Sequence, residues 1–444
     1  MNSPLIHISV LGILLLAGVI LRAKVGFLKR LFIPASLIAG LIGLALGQYG
    51  LKLIPADMMG TFSSLAPYLI TIVFAPMLIG VTFPKPTELG NTVGPQVLFA
   101  YIGDFLLIAI PLLVTALWLM PIWDLNDLFG TVVEVGFVGG HGTAAGMGEI
   151  YDSVDWDKGG AMGLATATVG LFIGIFCGIV MINHGIRKGY TSFVTQTSQK
   201  AENGQGIYAK NEQPFASRVT VSKDVVEPLA FHFGIIALAI VFGLGILWLL
   251  QTATGLKLPL FPMAMIGGLL VQLMITKTGH DDAVDHGSLN LIQGLALELL
   301  IVSSIASLKV PLIIEYALPI VIVCVSATLA LLFHFYYLGP RMFKNQWFEH
   351  SIVNFGGLAG VTAVGLMLLR TVDPEVKSDA LKAYAMRSVF VSPVIGGGLL
   401  TSILPLIVVS HGALLVGFGF LMLALILVGI ARLLGFWRKP GLHE

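Results

Sequence analysis

Three carboxylates sit in or beside strongly apolar runs: Asp104 in "YIGDFLLIAI", Glu298 in "GLALELLIV", and Glu134 just ahead of "GFVGGHGTAAGMG" at 136–148. A charge at the centre of a lipid-spanning helix costs at least about 2.5–3.5 kcal/mol, so such a group faces protein rather than lipid. Asp104 lies roughly 13 Å into its run at helical rise. Asp104 and Glu298 are therefore candidate cation or proton sites; a fixed hydrogen bond to a neighbouring helix is the other reading of each. Glu134 is placed to orient the loop that follows it or to attract cations. That loop, 136–148, holds six glycines together with His141 and Thr143. Each helical glycine costs about 1 kcal/mol relative to alanine, so the stretch is expected to break the helix. A second Gly-rich stretch, "NFGGLAGVTAVGLM", covers 354–367.

Broken backbone at membrane depth survives only where it is buried in protein or lines a wet cavity. There its free N–H groups attract anions and its unwound carbonyls coordinate Na⁺. His141, flanked by glycines, can donate to a substrate carboxylate or tie the loop to the protein. Asn354 can bond a substrate or cap its loop. Close packing by small residues explains Gly159, Gly160 and Gly163, or Gly396–Gly398, better than it explains 136–148.

These groups need a scaffold, and the composition says which kind. Only 11% of the 444 residues are charged and 56% are hydrophobic, with mean hydropathy +0.92. Soluble domains carry about 25% charged residues, so this is an all-α polytopic membrane protein. The net charge of +1 implies no acidic or basic partner. Cys177 and Cys324 lie in apolar runs, which argues against a disulfide framework. The first apolar run lacks a basic flank and a small-residue cleavage site, and is expected to be a retained helix.

Eleven spans are expected: roughly 5–22, 32–50, 61–83, 95–120, 159–183, 229–251, 260–276, 289–308, 316–338, 384–407 and 411–433. The segments 129–149 and 350–369 remain. If both are re-entrant and the N-terminus is outside, the 25 Lys and Arg residues divide 21 inside to 4 outside (Lys52, Lys158, Lys257 and Lys309). Full crossings would give 15 to 10, so the positive-inside rule favours hairpins and a cytoplasmic C-terminus. Arg187, Lys188, Lys200, Lys210, Arg218 and Lys223 make 184–227 a cytoplasmic linker.

"FIPASLIAGL" (32–41) matches "LFPMAMIGGL" (260–269), and "GGHGTAAGM" (139–147) matches "GGLAGVTAVGLM" (356–367) with short gaps. The expectation is two inverted-topology repeats of five helices, 1–183 and 228–407, each with a Gly-rich re-entrant hairpin. An extra helix and tail, 408–444, follow them.

"GGHGT" and "NFGGLAGVTAVGLMLLRT" resemble the two pore-loop motifs of the glutamate:sodium symporter family, and the five-plus-five layout resembles its architecture. The resemblance implies a homodimer in the bacterial inner membrane that carries glutamate with Na⁺ by alternating access, using no cofactor beyond the coupling ion. It places Gly139, Gly140, His141, Gly142 and Thr143 at the substrate in the first loop. In the second it places Gly356, Gly357, Gly360, Thr362 and Ala363. The last span, "SPVIGGGLLTSILPL", offers only Ser392, Thr401 and Ser402 as polar groups.

Two other readings fit the residues: a proton-coupled or exchange transporter of another organic anion, with Asp104 and Glu298 as proton carriers, and a channel or ligand sensor on a transporter fold. His7 and His334 are expected to be structural. The loop "GHDDAVDHG" (279–287) reads as helix capping rather than a metal site. No Walker loop, nucleophile elbow or cysteine pair gives catalysis a warrant.

Overall fold

The computed structural model describes residues 4–26, 28, 33–80, 93–194, 216–222, 224–255, 258–374 and 377–438. Half of the linker, with Lys200, Lys210 and Lys223, lies outside the described residues, as does Lys257. All regular structure among the described residues is helical. In chain order the helices are α1 (Pro4–Lys24), α2 (Ala35–Leu46), α3 (Ala56–Phe74), α4 (Gly94–Val114), α5 (Val132–Phe137), α6 (Gly140–Gly146), α7 (Gly148–Ser153) and α8 (Gly159–Lys188). There follow α9 (Pro228–Thr254), α10 (Leu260–Thr278), α11 (His286–Ala306), α12 (Ala317–Phe333), α13 (Trp347–Val372), α14 (Ala380–Val391), α15 (Leu399–His411) and α16 (Ala413–Leu433).

Among the described residues, ten helices are long and apolar enough to cross a membrane, against eleven expected spans. Three differences account for the mismatch. The span expected at 32–50 is helical only over Ala35–Leu46, because the chain turns at Gly47; 12 residues reach about 18 Å, short of a bilayer core. The span expected at 384–407 is two helices, α14 and α15, parted at 392–398, where Gly396 and Gly397 have φ of +72° and +106°. Conversely, Trp347–Val372 reaches spanning length only as a sum of two pieces: Gly360 and Val361 leave helical geometry in its middle.

The fold of α13 follows from that break. A Cβ on Gly356 would lie 2.6 Å from the Gly365 Cα, and one on Gly365 would meet the Val353 carbonyl and, at 2.9 Å, the Gly357 nitrogen. Residues nine apart in a continuous helix stand about 13.5 Å apart. The two limbs therefore lie side by side, with Gly356 and Gly365 allowing the approach. α13 is a helical hairpin.

The described chain falls into two compact units. Unit 1 comprises 1–82, 141–153 and 202–311; unit 2 comprises 83–140, 154–201 and 312–444. Each draws on both halves of the sequence. In unit 1, α1 packs on α2 and α9 on α10; α2 lies against α11, and α10 against α3. Gly40 admits Ile305, and Gly268 lies against the Ala75 carbonyl. These are the glycines of the matched stretches, and each packs its helix on the third helix of the other half.

In unit 2, α4 and α12 pack on each other, and both end alike. Each runs into a five-residue π-turn, Thr115–Leu119 and His334–Leu338, and then a four-residue helix beginning Met120-Pro121 or Gly339-Pro340. π-turns are rare, and one in the same place in both halves is a specific match. α8 packs against α5 and α13. The extra helix α16 lies along α4, with Gly417 against Leu113 and with Ala424 and Ala431 in the cluster around Phe99 and Ile102.

In the loop 279–287, Asp285 accepts from the Ser288 amide at 2.8 Å, the Ser288 hydroxyl at 2.9 Å and the Arg218 amide at 3.0 Å. Burial pushes its carboxyl up, but those bonds and one from the Gly287 amide outweigh it and hold the group below its ordinary value. Capping is the visible role here.

Candidate substrate and cation site

In unit 2, α5 ends at Phe137, and Gly140 takes φ +69°. Val361 takes φ +65° at the tip of α13. The two breaks touch: a Cβ on Gly140 would run into the Val361 side chain. At 140 a glycine is needed twice over, for its conformation and for the approach. At 361 the sequence gives no such help, because a β-branched residue at positive φ is an outlier that the surroundings must hold. The backbone thus pairs Gly140 with Val361 rather than with Gly357. Gly139 precedes the first break, Gly360 is part of the second, and Thr362 and Ala363 are exposed just beyond it.

The remaining candidates divide between the units. His141, Gly142 and Thr143 belong to unit 1. There Gly142 packs against Leu300 and Ile70, at 3.0 and 3.3 Å from a Cβ. His141 and Thr143 are buried. Glu298, half-buried in the same unit, leaves Oε2 buried with no hydrogen bond.

Unit 2 holds Asp104, Glu134, Asn354, Gly356, Gly357 and Gly360. Gly356 is committed to packing the hairpin limbs. Gly357 lies against the Tyr384 hydroxyl of α14. Asn354 donates from Nδ2 to Gln96 Oε1 at 2.6 Å and to the His350 carbonyl at 2.7 Å, and Gln96 Nε2 meets His350 Nδ1 at 2.7 Å. Only Asn354 Oδ1 is left, buried and unpartnered. His334 Nε2 meets the Phe99 carbonyl at 2.8 Å, as a structural histidine would.

Glu134 is fully buried. Its Oε1 accepts from the Thr401 hydroxyl at 2.7 Å and the Gly396 amide at 3.1 Å. It therefore ties α5 to the break between α14 and α15; Oε2 is buried and has no hydrogen bond. A Thr401→Val substitution keeps the shape and removes the donor. Leaving a buried acceptor unmet costs about 1–3 kcal/mol, more when charged, so the variant is expected to melt several degrees lower in detergent. Thr401→Ser should melt near the parent; equal melting of the valine variant would deny the strut.

Asp104 is 1% exposed, and neither carboxylate oxygen has a hydrogen bond among the described residues. The charges acting on it are those of Arg387 and Glu134. Arg387 was not among the sequence candidates. It is 6% exposed, its Nε is unpartnered, and its guanidinium stacks 4.1 Å from the Tyr384 ring centroid.

No curated protein matches the chain. The family profile described as sodium/glutamate symporter matches residues 4–363, from the first helix to just past the tip of the second hairpin. A match over most of the length, on a many-helix membrane chain broken at both Gly-rich motifs, establishes that this chain belongs to the sodium/glutamate symporter family.

Proposed function

We propose that the protein is a Na⁺-coupled symporter that brings glutamate or a similar small carboxylate into the cytoplasm by alternating access. The observation that carries this reading is the meeting of two helix breaks, Gly140 against Val361, in a chain of this family. Substrate carboxylates sit on N–H groups of the broken backbone and on Thr143 or Thr362. Loop carbonyls, with carboxylates drawn from Asp104, Glu134 and Glu298, receive cations. The two halves are inverted repeats, 1–183 and 228–407, a reading supported by the matched glycines, π-turns and Gly-rich breaks. Both breaks belong to re-entrant hairpins, the N-terminus is periplasmic and the C-terminus cytoplasmic. The protein works as an inner-membrane homodimer in which part of each subunit moves against a fixed scaffold.

The test is uptake of a panel of labelled carboxylates into proteoliposomes. With a membrane potential of 100 mV, each net charge carried inward supplies about 2.3 kcal/mol. An imposed Na⁺ gradient is expected to drive accumulation with no pH gradient. The buried oxygens of Asp104 and Glu298 that lack a hydrogen-bond partner leave one rival, proton coupling, with these two carboxyls as the carriers. Accumulation driven by ΔpH alone would move the assignment there, and unitary currents would move it to a channel.

A further inference from the structure

Asp124, Lys158 and Tyr316 each stand one residue outside a helix long enough to span, next to Trp123, Gly159 and Ala317. All three line one cavity of about 190 Å³ in unit 2, with Asn126, Phe129 and Trp156 among its other walls. The surface beside it is apolar: Leu117, Trp118 and Ile122 are exposed at the end of the span that begins with α4, and Ile314 and Leu318 are exposed two residues to either side of Tyr316. Aromatic rings and a lysine next to lipid-facing side chains mark a membrane–water interface, which puts the cavity at headgroup depth. Asp124 takes φ +49° and ends the short helix at Trp123, a turn that aspartate tolerates. Asn126 Oδ1 accepts from the Leu128 amide at 2.9 Å, which leaves Nδ2 as a donor. Lys158 is the N-cap residue of α8, where a cation opposes the helix dipole. Its neighbours hold it there. Nζ donates to the Tyr316 hydroxyl at 2.8 Å, lies 4.9 Å from that ring's centroid and 3.9 Å from a Glu315 carboxylate oxygen. Asp124 is not its ion-pair partner, although both line the cavity. The surroundings are acidic: Asp155, Asp157 and Glu315 are exposed, and Glu315 and Asp157 act on Lys158.

We propose that this cavity binds the headgroup of phosphatidylethanolamine, with the phosphate on Lys158 and Asn126 Nδ2 and the primary ammonium on Asp124 against the aromatic walls. Phosphate suits a lysine as a point charge, and an ammonium gains from both the carboxylate and the ring faces. The cavity is smaller than the roughly 300 Å³ of pockets that take drug-sized ligands. That suits a headgroup whose acyl chains stay outside along Leu117, Trp118 and Ile122. An anionic headgroup such as phosphatidylglycerol answers Lys158 alone: it leaves Asp124 unpaired and brings a net negative charge up to Asp155, Asp157 and Glu315. A headgroup carrying both signs answers both. The site does not depend on what the protein transports.

The experiment is native mass spectrometry of the purified full-length protein in detergent, titrated with phosphatidylethanolamine or phosphatidylglycerol of identical acyl chains. One phosphatidylethanolamine per chain is expected to bind about tenfold tighter than phosphatidylglycerol, the worth of one hydrogen bond to a charged group. Asp124→Asn should weaken phosphatidylethanolamine by about tenfold and leave phosphatidylglycerol no weaker, which erases the preference. Lys158→Gln should weaken both lipids. Both positions are solvent-accessible, so the variants are expected to fold; Lys309→Gln, in unit 1, should bind as the parent does. Phosphatidylglycerol binding as tightly as phosphatidylethanolamine in the parent would overturn the inference and leave a plain basic anchor. An unchanged preference in Asp124→Asn would overturn it as well. Displacement of the bound lipid by free phosphoethanolamine or by glutamate at matched concentration would make the cavity a site for a soluble zwitterion instead of a lipid.

Discussion

Gly140→Leu is expected to abolish uptake while leaving the protein inserted and folded. Two costs combine at this position. A left-handed backbone is worth roughly 1–2 kcal/mol against a residue with a Cβ, and the new side chain collides with Val361. The collision cannot relax by rotating a long side chain, because Val361 is branched at the β-carbon. It must push the two breaks apart, and a displacement of about 1 Å at a positioned site is worth on the order of a hundredfold in rate. The contact gives a rescue. Gly140→Ala should be impaired, and Gly140→Ala/Val361→Gly should recover most of the loss, since the collision is gone and only the backbone cost remains. Val361→Gly alone should melt no lower than the parent, because it releases a strained φ. Transport by Gly140→Leu at the parent rate, or no rescue by the second change, would mean that the two tips do not meet in the working protein.

The second large effect is on assembly, and it separates two glycines two residues apart on α9. A Cβ on Gly243 would lie 2.5 Å from the Ala264 Cα and 2.6 Å from its nitrogen, whereas one on Gly245 has nothing within 4 Å. The partner at 243 is backbone, which cannot swing away. Ala239 and Gly267 make the same crossing closer still, with the Ala239 carbonyl against Gly267. In a bilayer such small-residue contacts supply the packing that the hydrophobic effect does not. Overpacking costs about 1–3 kcal/mol and occasionally more; against fixed backbone the upper end applies. Gly243→Leu is expected to remove most folded protein from the membrane fraction, measured as monodisperse material after detergent extraction. Gly245→Leu should extract like the parent, and similar yields for both variants would contradict the crossing.

The sequence by itself determined the helical class, the rough position of most spans, and the two places where helices break. Those follow from local quantities: runs of apolar residues long enough for a bilayer, and glycines too costly to keep helical. The matched stretches around Gly40 and Gly268 were legible for the same reason, as was the family. The interruption at 392–398 was signalled by Gly396–Gly398, but hydropathy averages over three glycines and reads a single span. Val361 could not be found locally, since every intrinsic preference of valine opposes φ +65°; only the packed limbs of α13 and the opposing Gly140 hold it there. Glu134 was visible as a residue type, but its partner Thr401 lies 267 positions away. Arg387 was not legible as a candidate because burial is a property of where α14 packs, not of its composition. Local sequence fixes where the chain can leave the helix, since that cost is paid residue by residue. Which buried charges and breaks come to face one another is decided by helix packing, because those contacts join segments that have no covalent reason to meet.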